Sequence, residues 1–248
     1  MQPNEPIQRK NRYVWLLVCM VAFASAGMGC SDDGGDKDPA DSVPSDDTSD
    51  SSDDDDMSDS SSNDGTSDSP PPNKAIGTIV AIGDSITAGS VAGSGSPYPS
   101  RVAGILGTKV INKGSPGAKS SSAPGAAGNA LSSKPSHVMI LFGTNDVFDE
   151  VPSGTVGGNI ASAISKVRSG GAVPVVGTLP PNRKSDFQQS VVNSYNGAIR
   201  NAASSGGARL ANVAGEMGSG AGLLLEDGFH PNSSGTQIIA FTFADSVR

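Results

Sequence analysis

"TIVAIGDSITAG", residues 78–89, is the stretch on which the fold turns. Thr78 to Gly83 is a short apolar, β-branched run of strand length, and Gly-Asp-Ser then leads at once into small residues that read as the start of a helix. Ser85 stands at that junction, either as a nucleophile or as turn punctuation. A nucleophile needs a base, a group to orient the base, and donors for a developing oxyanion, all at one end of one fold.

Four further apolar runs follow: "KVIN" from Lys109, "HVMILFG" from His137, "AVPVVGTL" from Ala172 and "ARLANVA" from Ala208. They alternate with helical patterns, which is the signature of a parallel sheet with crossover helices. Ile160, Ala163, Ile164 and Val167 follow i, i+3, i+4, i+7 spacing, and Phe187, Val191, Tyr195 and Ile199 recur every fourth residue; each set is expected to mark one buried helix face. A last helix is expected to be capped by Ser233 or Ser234 and to bury Ile238, Phe241 and Val247. The expected fold class is α/β, a three-layer α/β/α sandwich, and no internal repeat is evident.

Open parallel sheets bind ligands beyond the carboxyl ends of their strands, where loops and helix N-termini converge. Ser85 follows the first strand, "NKGSPGAKS" with Gly117 the second, "GTND" with Asn145 the third, "LPPN" the fourth, and "EDGFHP" with Asp227 and His230 comes after the fifth. All these parts therefore fall on one rim.

A serine hydroxyl becomes a good nucleophile when an imidazole takes its proton and a carboxylate fixes the imidazole's tautomer. His137 opens a strand at its amino end, opposite this rim, and reads as structural. His230 lies at the rim, three residues after Asp227 and next to Pro231, which stiffens the loop. Candidate oxyanion donors are the backbone N–H of Ser85, the N–H of Gly117 and the side-chain amide of Asn145. In isolation Gly117 also reads as a turn residue and Asn145 as a helix cap. "GSPGAKS" lacks the glycine before lysine that a phosphate-binding loop requires, and Thr87 stands where the G-x-S-x-G elbow needs glycine.

The four blocks "GDSIT", "NKGSPG", "GTND" and "DGFHP", in this order over residues 76 to 247, resemble the GDSL or SGNH hydrolases, a family of lipases and esterases. The resemblance implies a flavodoxin-like five-stranded parallel sheet of order 2-1-3-4-5. It implies Ser85 as nucleophile, Asp227 and His230 as its catalytic partners, and Ser85, Gly117 and Asn145 as the oxyanion hole. It implies no metal or cofactor. "GAK" stands where many members have "GDT" after the oxyanion glycine.

The chain of 248 residues carries a net charge of -8, and that acidity is local. Residues 1–30 have Arg9, Lys10 and Arg12 before "YVWLLVCMVAFASA" and small residues, the pattern of a secretory signal whose apolar run is too short to span a bilayer. "ASA" suits ordinary signal cleavage. "GMGC" resembles the lipobox of bacterial lipoproteins, with Cys30 lipidated, and is the favoured reading. Residues 31–73 hold fifteen Asp, twelve Ser and one Lys, a composition that cannot bury enough surface to fold and is expected to form a disordered tether. Residues 74–248 carry 13 Lys and Arg against 9 Asp and Glu, so the acidity says nothing of the substrate.

The scattered basic residues give no nucleic-acid footprint, and Cys19 and Cys30, the only cysteines, exclude a disulfide or thiol nucleophile in the folded part. The expectation is a monomeric, exported and lipid-anchored serine esterase. Its substrate is expected to be a small-molecule or glycan ester with a short acyl group, such as an O-acetyl on a saccharide. An O-acyltransferase acting on a glycan and a non-catalytic surface binding module on the same fold are the alternatives.

Overall fold

The computed structural model describes residues 75–91 and 93–248. The expected signal segment, Cys30 and the expected tether lie outside the described residues.

Five strands, β1 (Ile79–Gly83), β2 (Val110–Gly114), β3 (His137–Leu141), β4 (Val173–Gly177) and β5 (Arg209–Ala211), form one parallel sheet of order β2-β1-β3-β4-β5. The sheet has the order that the family resemblance implies. β1, β3 and β4 are buried along their whole length, because helices cover both faces of a parallel sheet. β4 tolerates Pro174 for a local reason. Val173 donates its N–H to Ser136 on the β3 side at 2.9 Å, so the next nitrogen faces β5, whose ladder begins only at Val175 opposite Arg209.

The helices are α1 (Ser85–Ala88), α2 (Tyr98–Leu106), α3 (Ala123–Leu131), α4 (Ser153–Ser169), α5 (Asp186–Ser205), α6 (Val213–Met217) and α7 (Ser233–Val247). α2, α6 and α7 pack on one face, and α3, α4 and α5 on the other. The first face is keyed by Tyr98 and Phe243, which stack with ring centroids 5.0 Å apart. On the second, α3 buries the small residues Ala123, Ala127 and Ala130 and packs along α4.

Ile160, Ala163, Ile164 and Val167 are buried, as expected. Two helix faces differ from expectation. On α5, Phe187 is 58% exposed and the buried residues are Val192, Tyr195, Asn196, Ile199, Ala202 and Ala203. A row repeating strictly every four residues drifts about 40° around the helix at each step, so its first member rotates off a face that its last members occupy. On α7, Phe241 is 52% exposed and Ile238 is half-buried, while Ile239, Phe243 and Val247 go inward. The cap of α7 is Asn232 instead of a serine: its Oδ1 accepts the N–H groups of Ser234 and Gly235 at 3.0 and 3.1 Å.

The turn from β1 into α1 lies across the end of β2, and two cross-strand partners make room for it. Gly83 and Gly114 face each other in the ladder. A Cβ on Gly83 would collide with Thr87 Oγ1, and one on Gly114 with the Ala88 backbone nitrogen. This close approach sets Ser85 at the edge of the sheet's carboxyl end.

Candidate active site

Ser85 is the first residue of α1 and is only 9% exposed. Its Oγ lies 2.9 Å from Nε2 of His230, and Nδ1 of the same ring lies 2.7 Å from Oδ2 of Asp227. With Nδ1–H donated to a carboxylate, Nε2 carries the lone pair and accepts the serine O–H.

The Asp227–His230 unit is built by its own loop. Asp227 Oδ1 accepts the backbone N–H groups of Phe229 and His230 at 3.1 and 3.0 Å. Leu225 donates its N–H to the His230 carbonyl at 2.8 Å, and Leu224 bridges Pro231 in antiparallel fashion. Burial pushes the Asp227 carboxyl up, but those two N–H groups and the imidazole outweigh it and hold the carboxyl below its ordinary range.

The three expected oxyanion donors come from neighbouring strand ends, since β1 lies between β2 and β3. The Ser85 N–H belongs to the first turn of α1, where amides have no intrahelical acceptor. Gly117 is in the exposed turn after β2, with φ of 75°. Asn145 opens the short 3-10 helix Asn145–Asp149 after β3, whose N-cap is Thr144. The Asn145 side chain leaves its own turn and donates Nδ2–H to the Ala118 carbonyl at 2.9 Å. Its geometry is therefore a link to the Gly117 loop, not a cap.

Further bonds lock that loop to the same turn. Ser120 donates its N–H and O–H to the buried Asp146 carboxylate at 2.8 and 2.6 Å, and Lys119 pairs with Asp149. From below, the Tyr195 hydroxyl is bonded to the carbonyls of Asp146 and Val151, at 3.1 and 2.5 Å. Ala118 stands where many members of the family have aspartate, and Lys119, where they have threonine, finds its partner in Asp149.

Asp84, just before the serine, caps α1 by accepting Ile86 N–H at 2.9 Å. It is fully buried, and Asp84 Oδ2 and Thr144 Oγ1 stand close without either completing a hydrogen bond. Burial pushes its carboxyl up to about 6, against the opposing effects of the Ile86 N–H, the Thr144 hydroxyl and His230. Sequence reasoning passes over Asp84 and Asp146. The N-cap preference for aspartate is the signal that points to Asp84, and nothing in the spacing points to Asp146.

His137 is buried at the amino end of β3, paired in register with Ile79 and Val173, with Nδ1 2.9 Å from Ser136 Oγ. The fold thus separates the two histidines. Among the described residues no group of three or more His, Cys, Asp or Glu side chains is arranged to hold a metal ion, and no helix is long and apolar enough to cross a membrane.

Residues 81–238 match the model of the GDSL-like lipase/acylhydrolase family. No curated protein matches the sequence. Solved structures share the fold at low identity. An acetylxylan esterase from Geobacillus stearothermophilus is 20% identical with a TM-score of 0.61, over 69% of this chain and 94% of its own. A putative lipolytic protein of the G-D-S-L family from Desulfitobacterium hafniense is 21% identical with a TM-score of 0.59, over 68% of this chain and 98% of its own. An alpha/beta hydrolase enzyme from the metagenome of Lake Arreo, Spain, is 21% identical with a TM-score of 0.60, over 70% of this chain and 96% of its own. The family model covers more than half of the chain, so the chain belongs to the GDSL-like lipase/acylhydrolase family and is, by that membership, a carboxylic ester hydrolase.

Proposed function

We propose that the protein hydrolyses a short-chain carboxylic ester through an acyl-enzyme on Ser85. The observation that carries this reading is the unbroken hydrogen-bond chain from Asp227 through His230 to Ser85. His230 Nε2 takes the Ser85 proton as Oγ attacks the ester carbonyl. The resulting oxyanion is met by the N–H groups of Ser85 and Gly117 and by the second N–H of the Asn145 amide. As the tetrahedral intermediate collapses, the C–O bond breaks and the imidazolium returns the proton to the departing alkoxide. Asp227 holds the ring and stabilises its charge throughout. Water, deprotonated by the same nitrogen, then releases the acid and regenerates Ser85.

A short acyl group on a saccharide is the reading favoured for the substrate, in keeping with the shared fold of the acetylxylan esterase. The domain is further read as exported and held at a bacterial membrane by lipid on Cys30, with residues 31–73 as its tether.

Hydrolysis of p-nitrophenyl acetate and butyrate tests the chemistry, alongside labelling by a fluorophosphonate. The parent turns over acetate faster than butyrate and carries one phosphonyl group on Ser85. Ser85→Ala does neither while keeping its fold. Turnover by Ser85→Ala near that of the parent overturns the assignment.

A further inference from the structure

Eight aromatic side chains lie among the described residues. Tyr98, Phe142, Tyr195 and Phe243 are in the core, and Phe187 and Phe241 stand exposed on helices. Phe148 and Phe229 are placed differently. They pack edge to face with centroids 5.0 Å apart, and Phe229 leans on the His230 imidazole at 4.2 Å. Phe148 remains 38% exposed. Lys184 holds its Nζ over both rings, 5.4 Å from the Phe148 centroid and 5.9 Å from that of Phe229.

Three separate loops supply this surface. Phe148 sits three residues beyond Asn145, Phe229 lies between Asp227 and His230, and Lys184 comes from the connection between β4 and α5. The last two loops are stitched together: Arg183 donates its N–H to the Gly228 carbonyl at 2.7 Å. Gly228 has φ of 80°, and a Cβ there would stand 3.1 Å from the Lys184 backbone nitrogen. Among the described residues no carboxylate pairs with Lys184, so its ammonium is available to a ligand.

The reaction geometry says which part of the substrate meets these groups. The oxygen that leaves must lie within about 3 Å of His230 Nε2 to receive its proton. The alcohol part therefore extends from that oxygen along the flank of His230, where Phe229, Phe148 and Lys184 stand. The exposed Phe148 ring, backed by Phe229, calls for an apolar C–H surface, and the adjacent ammonium calls for oxygen acceptors at its edge. An alkyl alcohol satisfies only the aromatic part. A pyranose satisfies both, with a face of C–H groups and a rim of hydroxyls. We infer that Phe148, Phe229 and Lys184 form the subsite for the alcohol part of the ester, and that this alcohol is a sugar. The assignment rests on the proposed roles of Ser85 and His230.

The test measures kcat/KM of the full chain on three acetates: a mono-acetylated methyl glucopyranoside, cyclohexyl acetate, which has the ring without hydroxyls, and ethyl acetate, which has neither. The parent prefers the sugar acetate to cyclohexyl acetate. Phe148→Ala lowers the sugar-to-ethyl ratio about tenfold, mainly through KM. Lys184→Met lowers the sugar-to-cyclohexyl ratio several-fold. A sugar-to-ethyl ratio within twofold of the parent in Phe148→Ala overturns the subsite. A parent that prefers cyclohexyl acetate, or a Lys184→Met ratio equal to the parent's, overturns the sugar. A parent that hydrolyses none of the three and takes no phosphonyl group on Ser85 overturns the esterase reading itself, a result distinct from a working esterase whose ratios do not move.

Discussion

The Asn145 amide donates to the Ala118 carbonyl across 2.9 Å, which leaves one of its two N–H groups free for another acceptor. A carbonyl oxygen gains most of its charge only in the transition state, so a donor aimed at it contributes more to turnover than to binding. Asn145→Ala is expected to lower kcat by about 10²- to 10³-fold with KM nearly unchanged. Steady-state kinetics beside thermal melts check this. A destabilised variant with near-normal kcat removes Asn145 from the chemistry.

Asp146 acts one step further back. It receives both donors of the buried Ser120, and removing it leaves each without a partner. Asp146→Ala is expected to cost roughly 2–4 kcal/mol of stability. It is also expected to lower kcat by about tenfold or more, through loosening of the Gly117 loop. Ser120→Ala, which keeps the backbone bond, should show a milder form of both effects. Loss of stability with intact kcat in both variants means that the loop needs no such anchor.

Stability should also respond to pH through Asp84. The carboxyl stays neutral in the fold until about pH 6 but ionises near 3.8 when unfolded. Between those values the native state binds more protons, so stability falls as pH rises across the window, by roughly 3 kcal/mol in all, and then levels off. Asp227 acts in the opposite sense. Its lowered carboxyl contributes stability above 3.8 that is lost as pH falls through its folded value, outside this window. Asp84→Asn keeps an N-cap acceptor and should abolish the fall between pH 4 and 6. Denaturant titrations of both proteins at these two pH values measure the difference, and equal slopes would show that Asp84 is already ionised in the fold.

The proposed anchor is tested at Cys30. If that residue carries lipid, Cys30→Ser moves the protein from the membrane pellet to the supernatant, because only a hydrophilic tether would remain. Continued sedimentation with membranes would falsify lipidation at Cys30.

Strand identity was readable because β1, β3 and β4 are continuous apolar runs, and burial on both faces demands that composition; the strand order came from the family resemblance alone. That Ser85, Asp227 and His230 meet was legible because all three lie in loops that follow strand ends on one rim of a parallel sheet. The buried faces of α5 and α7 were less so: Phe187 and Phe241 are large and apolar, yet side-chain size does not say which way a helix turns. The anchoring of the Gly117 loop was not legible. Ser120 and Asp146 are 26 residues apart, and an ordinary serine and aspartate carry no mark of their partner. The same holds for Lys184, whose place over two rings depends on a backbone contact at Gly228.

Asp227 and His230 lie within four residues of one loop that bonds to itself, whereas Ser85 arrives on β1 from 145 positions away. The pair therefore moves as one piece, and its only hydrogen bond to the serine is a single seam. Local opening of the segment from Gly218 to Asn232 would carry base and carboxylate away together, still bonded to each other, while the sheet stays intact. Heat inactivation should accordingly precede loss of the global fold and be quickly reversible on cooling, with amide exchange in this segment faster than in β1.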